Sequence, residues 1–302
     1  MLTAGFTFIR NAIRYDYPVV ESIRSVLPLC DLFVVAVGHS DDDTLELIRG
    51  IGDTKIRIIE TVWDDALREG GRVLAVETDK ARAAIPPEYD WCFYIQGDEV
   101  IHEKDYPAIR SGMEQCLKDP EVEGLLFNYL HFYGSYDYLG ASRRWYRREV
   151  RIVRNLPDIR SYRDAQGFRR YPNGAEGGGQ KLKVRRLNAS VYHYGWVKHP
   201  EQQLNKQLNF NKLWHSDQKV AQMVPSDRPF DYDGSEPLER FSGEHPAVMQ
   251  SRIAAVNWSF ESDPTRYQLP LKHRLSAWVE RITGWRPGEY KNYKTLPGKP
   301  VE

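Results

Sequence analysis

The stretch Asp90–Glu99, which reads DWCFYIQGDE, decides the expected fold of this chain. Its apolar run Trp91–Ile95 is followed by Gln96–Gly97 and then by two adjacent carboxylates, Asp98 and Glu99. Such a run predicts a buried strand, and acids at its end lie at the carboxyl edge of a sheet, where α/β proteins bind ligands. Carboxylate oxygens suit Mg²⁺ or Mn²⁺, which take further ligands from water and phosphates. The stretch therefore indicates a metal–diphosphate site, although a solvated loop start would explain the acids as well.

Composition points to a globular protein. The chain of 302 residues is 41% hydrophobic and 28% charged, and no apolar stretch approaches the roughly 18 residues of a transmembrane helix. The N-terminal residues lack the pattern of a secretory signal, so a cytoplasmic location is expected. The cysteines Cys30, Cys92 and Cys116 show no CxxC spacing, which predicts buried thiols rather than disulfides or a zinc site.

Charge is unevenly distributed along a chain with a formal net charge of zero. Residues 143–186 contain 14 Lys and Arg but only four acids, so this segment carries +10 and the remainder −10. The asymmetry favours either a locally bound anionic ligand or pairing with acids elsewhere in the fold. A neutral chain with an acidic strand end is atypical of a nucleic-acid binder.

Short apolar runs alternate with amphipathic segments through the first 130 residues. This alternation predicts an α/β fold, with a largely parallel sheet and helices on both faces. The predicted strands are 4–9, 32–37, 55–59, 91–95 and 124–127, and the predicted helices are 19–26, 44–48, 71–84 and 106–117. From about Tyr133 aromatic residues and arginines become dense, and residues 174–179 predict a glycine-rich loop.

A basic amphipathic segment with two tryptophans follows Pro270. Its apolar residues are Leu271, Leu275, Trp278, Val279, Ile282 and Trp285. Such a helix either packs onto its own domain or lies on an anionic membrane surface as a peripheral contact.

Several strand ends carry residues suited to a nucleotide. The first strand ends in Phe8-Ile9-Arg10-Asn11, and the second in Gly38–Thr44, which reads GHSDDDT. A helix then carries Lys80 and Arg82, and His193 lies within the aromatic run VYHYGWVK. Helix capping, surface cations and a core histidine would explain the same residues without a ligand.

The order of these parts resembles that of the GT-A glycosyltransferases, specifically the family-2-like bacterial group. Residues 38–44 look like the family's DGSxDGT nucleoside-binding turn, and Asp90–Glu99 looks like the strand leading to its DxD metal motif. The segments HFYG (131–134), HYGW (193–196) and FSGEHP (241–246) add to the resemblance, which covers about residues 3–253.

The resemblance implies a GT-A, Rossmann-like sheet with a nucleotide-sugar-binding half over 1–130, an acceptor-side half over 131–263 and a terminal helix and tail over 264–302. It implies a metal-dependent enzyme that moves a sugar from a nucleotide-sugar to a cell-surface glycan or lipid-linked saccharide with inversion.

The resemblance also implies roles for individual residues. The expected donor-binding residues are Phe8, Arg10, Asn11, Asp41, Asp42, Lys80, Arg82, Gln96 and Gly97. The expected ligands of Mn²⁺ or Mg²⁺ are Asp98, Glu99 and His193. Gln96 departs from the family pattern, because it stands where the first acid of DxD is expected and brings no charge.

Inversion requires a general base beside the acceptor hydroxyl. Asp164 is the first candidate by sequence order, Glu176 in the glycine-rich loop is the second and Asp137 the third. The aromatics expected to contact an acceptor sugar include Tyr133, Tyr136 and Trp145, and the surplus of arginine fits an acceptor with phosphate or carboxylate groups.

Other functions remain open at this stage. A catalytically silent relative that only binds nucleotide or saccharide is compatible with Gln96. A sugar nucleotidyltransferase would need a glycine-rich phosphate loop after the first strand, and residues 9–17 contain no glycine. A dehydrogenase is disfavoured because no candidate strand is followed by GxGxxG.

Overall fold

Strands and helices alternate through the first part of the computed structural model. The structure describes residues 1–174, 177–223, 229–232, 236–262, 276, 279–280 and 282–301, apart from the side chains of residues 65, 68 and 69. The strands are β1 (Thr3–Ile9), β2 (Leu32–Gly38), β3 (Ile56–Thr61), β4 (Trp91–Tyr94), β5 (Glu99–Ile101), β6 (Gly124–Tyr133), β7 (Tyr138–Gly140), β8 (Arg148–Arg154), β9 (Ile159–Tyr162), β10 (Gly167–Arg170), β11 (Gln180–Trp196), β12 (Leu238–Arg240) and β13 (Tyr293–Thr295). The helices are α1 (Val19–Val26), α2 (Thr44–Arg49), α3 (Arg72–Ala83), α4 (Tyr106–Leu117), α5 (Pro200–Lys212), α6 (Asp217–Met223) and α7 (Gln250–Ala254).

The main path of the sheet runs in the order β3-β2-β1-β4-β8-β6-β11-β10-β9. Strands β3, β2, β1 and β4 are parallel to one another. Strand β8 is antiparallel to both of its neighbours, β4 and β6, and β6 runs parallel to β11. This mixed sheet, mostly parallel at its core, is consistent with the GT-A, Rossmann-like arrangement, and the predicted fold class is confirmed.

Strand β4 is buried on both faces, which explains its unbroken apolar sequence. Trp91, Phe93 and Ile95 lie in the hydrophobic cluster that contains residues of α1 and α4. Cys92 and Tyr94 lie in the opposite cluster, which contains residues of α3. The alternation follows from the two-residue period of a strand. It brings the polar residues that follow Ile95 to the carboxyl edge of the sheet.

The predicted elements agree closely with those of the structure in the first half of the chain. Helices α1 and α4 have the predicted bounds, whereas β6 extends to Tyr133 instead of ending at Phe127. Asn128 and His131 interrupt the apolar run of β6, but the strand continues because it pairs with β8 on one side and β11 on the other. Cys30, Cys92 and Cys116 are buried free thiols, as predicted.

The C-terminal residues that the structure describes pack against the same sheet. Strand β13 pairs with β11, and Val301 forms a bridge with Leu187. Most of the predicted amphipathic helix, including Leu271, Leu275 and Trp278, lies outside the described residues. Within the described part of the chain, no helix has the length and apolar character needed to cross a membrane.

Glu149 on β8 is a buried carboxyl group. It is 3% exposed, and its Oε1 accepts a hydrogen bond from the Val150 N–H at 2.9 Å. Burial raises the pKa of Glu149 to about 7, from 4.5, although the charge of Arg151 acts in the opposite direction. Because the folded state holds this proton more tightly, the stability that the protonated group contributes is lost as the pH rises from about 4.5 towards 7.

We therefore expect Glu149→Gln to stabilise the protein more at pH 8 than at pH 5, by about 2 kcal/mol. Urea unfolding at the two pH values measures the difference. Glu114→Gln, at an exposed position on α4, is the control and should show no comparable difference. Equal gains for Glu149→Gln at both pH values would contradict the prediction.

Candidate active site

A cleft of 2040 Å³ runs along the carboxyl ends of the parallel strands. It is lined by the end of β1, the turn after β4, helix α3, the β9–β10 turn and helix α5. The predicted site residues that line it are Phe8, Arg10, Asn11, Asp41, Gln96, Gly97, Asp98, Asp164 and His193. The structure thus brings predicted residues from both parts of the chain, 1–130 and 131–263, into one cavity.

Asp98 lies in a tight turn after β4 and is 8% exposed. The Glu99 N–H donates to the Gln96 carbonyl at 3.0 Å, and the Tyr194 N–H of β11 donates to the Asp98 carbonyl at 2.8 Å. A Cβ at Gly195 would lie 2.7 Å from Asp98 Oδ2, so this close approach requires glycine in the HYGW segment. The turn and β11 together fix the Asp98 side chain at the cleft.

The Asp98 carboxylate is paired with a lysine of α5. Lys206 Nζ lies 2.9 Å from Asp98 Oδ2 and 2.8 Å from the carbonyl oxygen of Gly195. Burial by itself would raise the pKa of Asp98, but the positive charge of Lys206 outweighs it, and the pKa lies well below its usual range. Asp98 is therefore ionised at neutral pH.

His193 is oriented by a second histidine. His131 and His193 are joined through their Nδ1 atoms at 3.1 Å, and His131 Nε2 lies 2.8 Å from the carbonyl oxygen of Tyr146. Because a carbonyl only accepts, His131 carries its proton on Nε2, and its Nδ1 accepts from His193. Burial lowers the pKa of both rings. Neutral His193 consequently keeps a lone pair on Nε2, which lies 3.8 Å from Asp98 Oδ2.

Glu99, the second acid of the turn, is directed into the protein interior. Its oxygens accept two hydrogen bonds at 2.8 Å from the guanidinium of Arg151, and both side chains are almost completely buried. The Tyr129 hydroxyl donates to Oε1 at 2.5 Å, and the Gln96 N–H donates to Oε2 at 3.1 Å. These bonds occupy both oxygens of Glu99, and Glu99 does not line the cleft.

Aromatic rings form one wall of the cleft at the ends of β1 and β3. The rings of Phe8 and Trp63 lie 5.7 Å apart, and the Arg10 guanidinium lies 5.6 Å from the Trp63 ring. A Cβ at Gly38 would lie 2.4 Å from Trp63 Nε1, so glycine at the end of β2 makes room for the indole. Aromatic rings beside a cation suit a nucleobase, which can stack on one of them.

The ends of β1 and β2 are joined through Asn11 and Asp41. Asn11 has a positive φ of 54°, its Oδ1 accepts from the Asp41 N–H at 2.7 Å, and its Nδ2 donates to Asp41 Oδ2 at 3.3 Å. Asp42 instead accepts hydrogen bonds from the Arg14 N–H at 2.8 Å and the Thr44 N–H at 3.1 Å. Asp41 therefore borders the cleft, whereas Asp42 supports the start of α2.

Asp164 occupies the turn between β9 and β10. Its neighbours Arg163 and Ala165 both have positive φ, 56° and 62°, which is uncommon for residues other than glycine. Gln96 Nε2 lies 3.4 Å from the Ala165 carbonyl oxygen and connects this turn to the Asp98 turn. Burial raises the pKa of Asp164 above its usual range. A partly buried carboxylate on the cleft wall can accept a proton.

Other predicted site residues lie away from the cleft. Those that do not line it are Asp42, Lys80, Arg82, Glu99, Tyr133, Tyr136, Trp145 and Asp137. Lys80 donates to Glu77 at 2.6 Å, and Arg82 to the Leu156 carbonyl at 3.2 Å. Tyr133 and Tyr136 are buried in aromatic clusters. Glu176 lies outside the described residues.

Six basic residues of the segment 143–186 form ion pairs with acids among the described residues. Arg147 pairs with Glu280 and Glu289, and Arg170 pairs with Glu123 and Asp158. Other pairs are Arg143–Glu280, Arg144–Glu236, Arg151–Glu99 and Lys183–Glu121. Two further arginines of the segment, Arg160 and Arg163, line the cleft.

No protein-family model matches this chain, and no curated protein sequence matches it. Its fold resembles solved structures. S. aureus TarS 1–349 is 11% identical with a TM-score of 0.38, over 74% of this chain and 69% of that one. The complex of TarS 1–349 with UDP is 12% identical with a TM-score of 0.39, over 74% of this chain and 70% of that one. Glucosyl-3-phosphoglycerate synthase from Mycobacterium tuberculosis, in complex with Mn²⁺, UDP and phosphoglyceric acid, gives 17% and 0.29, over 44% of this chain and 43% of that one. At these identities and TM-scores, the comparisons concern the overall fold alone.

Sequence patterns missed two side chains of the cleft, Trp63 and Lys206. Trp63 follows the carboxyl end of β3, and because neighbouring parallel strands end at the same edge, this position could have been found. Lys206 belongs to the polar helix α5, where Gln203 and Lys206 are the buried residues. Their spacing of three residues is a weak signal, because it does not show that the helix covers Asp98.

Proposed function

We propose that this protein transfers a sugar from a nucleoside diphosphate sugar to a saccharide or lipid-linked saccharide. The observation that supports it best is the joint position of Asp98 and His193 in a cleft that Phe8 and Trp63 also line. The general likeness of the fold to glycosyltransferase structures agrees with this function. Cytoplasmic location and peripheral membrane contact remain predictions.

The donor set suits a divalent cation. His193 Nε2 and Asp98 Oδ2 lie 3.8 Å apart, and His131 fixes the tautomer of His193 as the hydrogen-bond partners of metal-ligating histidines do. No group of three or more His, Cys, Asp or Glu side chains lies close enough to hold a metal in the described part of the chain. Asp98 and His193 would thus hold Mn²⁺ or Mg²⁺ together with diphosphate oxygens and water. The bound metal would offset negative charge on the diphosphate.

The other side chains would bind and orient the substrates. Trp63 would stack on the base and Phe8 would contact its edge, because the two rings are inclined at 58° to each other. Asp41 would accept a hydrogen bond from the base or ribose. Asp164 would take the proton of the acceptor hydroxyl while its oxygen attacks the anomeric carbon, which inverts the configuration. Arg160 and Arg163 would face an acceptor that carries phosphate or carboxylate groups.

Thermal unfolding with UDP, GDP, CMP and dTDP, with and without Mn²⁺, tests the donor site. A ligand at about 100 times its Kd should stabilise the fold by roughly 2.7 kcal/mol. We expect one nucleotide to give a shift that Mn²⁺ increases, and we expect Asp98→Ala to remove that increase. If none of the four nucleotides shifted the unfolding temperature, the result would contradict the proposal.

Trp63→Ala tests the aromatic wall. Because stacking on one base contributes about 1–3 kcal/mol, we expect nucleotide affinity to fall by about 5- to 150-fold. Calorimetric titration measures the change. Trp285→Ala, at a residue that is 62% exposed, is the matched control and should leave affinity unchanged. Equal affinities for the two variants would exclude Trp63 from the base site.

A catalytically silent nucleotide-binding relative is the second candidate, and Gln96 is the observation that favours it. It stands where the family pattern has an acid, and its side chain contacts the Tyr94 hydroxyl and the Ala165 carbonyl. Release of sugar from the donor in the presence of Mn²⁺ would exclude this function.

A further inference from the structure

The ammonium group of Lys206 lies beside Asp98 at the wall of the cleft, and the proposed metal ligands do not account for it. Its Nζ donates to Asp98 Oδ2 at 2.9 Å and to the Gly195 carbonyl at 2.8 Å. An ammonium has three N–H donors. No acceptor among the described residues takes the third donor of Lys206, which is a lining residue of the cleft.

The position of Lys206 is fixed by the surrounding structure. The residue is 9% exposed, and its Nζ lies 4.9 Å from the centre of the Tyr17 ring, which also lines the cleft. A buried ammonium is costly unless it is paired. Asp98 is that partner. It holds the ammonium of Lys206 at the place where the diphosphate of the proposed donor would bind.

The charge of Asp98 makes a nearby cation necessary for an anionic ligand. A diphosphate that approached the ionised Asp98 alone would be repelled, because like charges at a few ångströms interact unfavourably. Lys206 Nζ contacts Asp98 Oδ2, the oxygen that lies 3.8 Å from His193 Nε2, and offsets the negative charge of the carboxylate. An ammonium with one unused donor can also bond directly to a phosphate oxygen.

We propose that Lys206 binds the diphosphate of the donor and stabilises it as it leaves. This inference rests on the proposed function. In the transfer, the bond between the anomeric carbon and the diphosphate oxygen breaks, and its electron pair stays on that oxygen. The acceptor oxygen bonds to the anomeric carbon, and its proton passes to Asp164. Lys206 donates a hydrogen bond to the diphosphate, where negative charge increases.

Calorimetric titration with UDP, GDP and dTDP in the presence of EDTA tests the inference, because EDTA removes divalent metal and leaves only the contribution of the protein's side chains. We expect the nucleoside diphosphate that binds most tightly to lose about 10- to 100-fold in affinity in Lys206→Met. The corresponding nucleoside lacks the diphosphate and should bind with equal affinity to the unsubstituted protein and to Lys206→Met. Lys219→Met, at an exposed lysine of α6, is the matched control and should resemble the unsubstituted protein.

Asp98→Asn supplies a test of opposite sign. In EDTA this variant should bind the nucleoside diphosphate more tightly, because the carboxylate no longer repels phosphate or occupies Lys206. With Mn²⁺ it should bind more weakly, because a proposed metal ligand is lost.

Lys206→Met leaves Asp98 without its partner, so the double variant Asp98→Asn/Lys206→Met covers the case in which the single variant does not fold. The double variant should bind about 10- to 100-fold more weakly than Asp98→Asn in EDTA.

The outcomes separate this inference from the proposed function. Binding in EDTA that is unchanged by Lys206→Met overturns the inference alone, and so does equal weakening by Asp98→Asn and Lys206→Met, which would show a purely structural pair. Binding by the unsubstituted protein with Mn²⁺ but not in EDTA would also overturn the inference, because Lys206 would then not hold the diphosphate without the metal. Absence of binding both with Mn²⁺ and in EDTA would contradict the proposed function itself.

Discussion

Arg151→Met is expected to lower the free energy of unfolding by about 3–5 kcal/mol, because it leaves the carboxylate of Glu99 buried without its charge partner. Arg151 is 1% exposed and Glu99 is 0% exposed. The guanidinium donates to both oxygens of Glu99 at 2.8 Å and lies between the rings of Tyr94 and Tyr129, at 5.3 and 5.2 Å. Urea unfolding followed by tryptophan fluorescence measures the loss.

The double variant Glu99→Gln/Arg151→Met should recover much of that loss, because the unpaired charge is removed together with its partner. Lys183→Met breaks the exposed ion pair with Glu121 and is the control, with an expected change much smaller than that of Arg151→Met. A loss for Arg151→Met as small as that of the control would contradict a structural role for the buried pair.

The adjacent acids Asp98 and Glu99 show how far the sequence determines the site. The apolar run before them predicted the strand and the sheet edge, and the structure has both. The sequence did not show that the two carboxylates point in different directions. Arg151, the partner of Glu99, lies 52 residues away, and Lys206, the partner of Asp98, lies 108 residues away. Such pairs depend on strand order and helix placement rather than on local pattern.

The second half of the chain was less predictable for a related reason. Strand β11 runs from Gln180 to Trp196 and pairs with β6, β5, β10 and β13. Its polar and aromatic residues show no simple alternation, because its neighbours differ along its length. His193 could be recognised as a candidate, but its tautomer depends on His131 from β6 and on the carbonyl of Tyr146.

The largest effect on turnover is expected for Asp164→Asn. If this carboxylate is the general base that we propose, its loss should lower kcat by about 10²- to 10⁴-fold. Nucleotide affinity should stay the same, because the proposed base acts on the acceptor hydroxyl and not on the nucleotide. The amide conserves the size of the side chain, which limits disturbance of a turn with two positive φ angles. Initial rates of sugar transfer, together with calorimetric titration of the nucleotide, measure the two effects.

Asp79 provides the matched comparison, because it is another carboxyl group that lines the cleft. Its Oδ1 accepts a hydrogen bond from the Ser161 N–H at 2.8 Å, and burial raises its pKa to about 6. We expect Asp79→Asn to retain turnover within about 10-fold, because this hydrogen bond assigns Asp79 to holding β9 against α3. Loss of turnover in Asp79→Asn with activity retained in Asp164→Asn would reverse the two assignments.

The pH dependence of the reaction identifies the base more directly than the loss of rate. A base acts when deprotonated, so kcat/KM should increase with pH up to the pKa of Asp164, which burial raises above the usual range of an aspartate. Asp164→Asn should remove that increase, and small carboxylates such as formate should restore part of the rate by replacing the missing base. An unchanged pH profile in this variant would show that another group takes the proton of the acceptor.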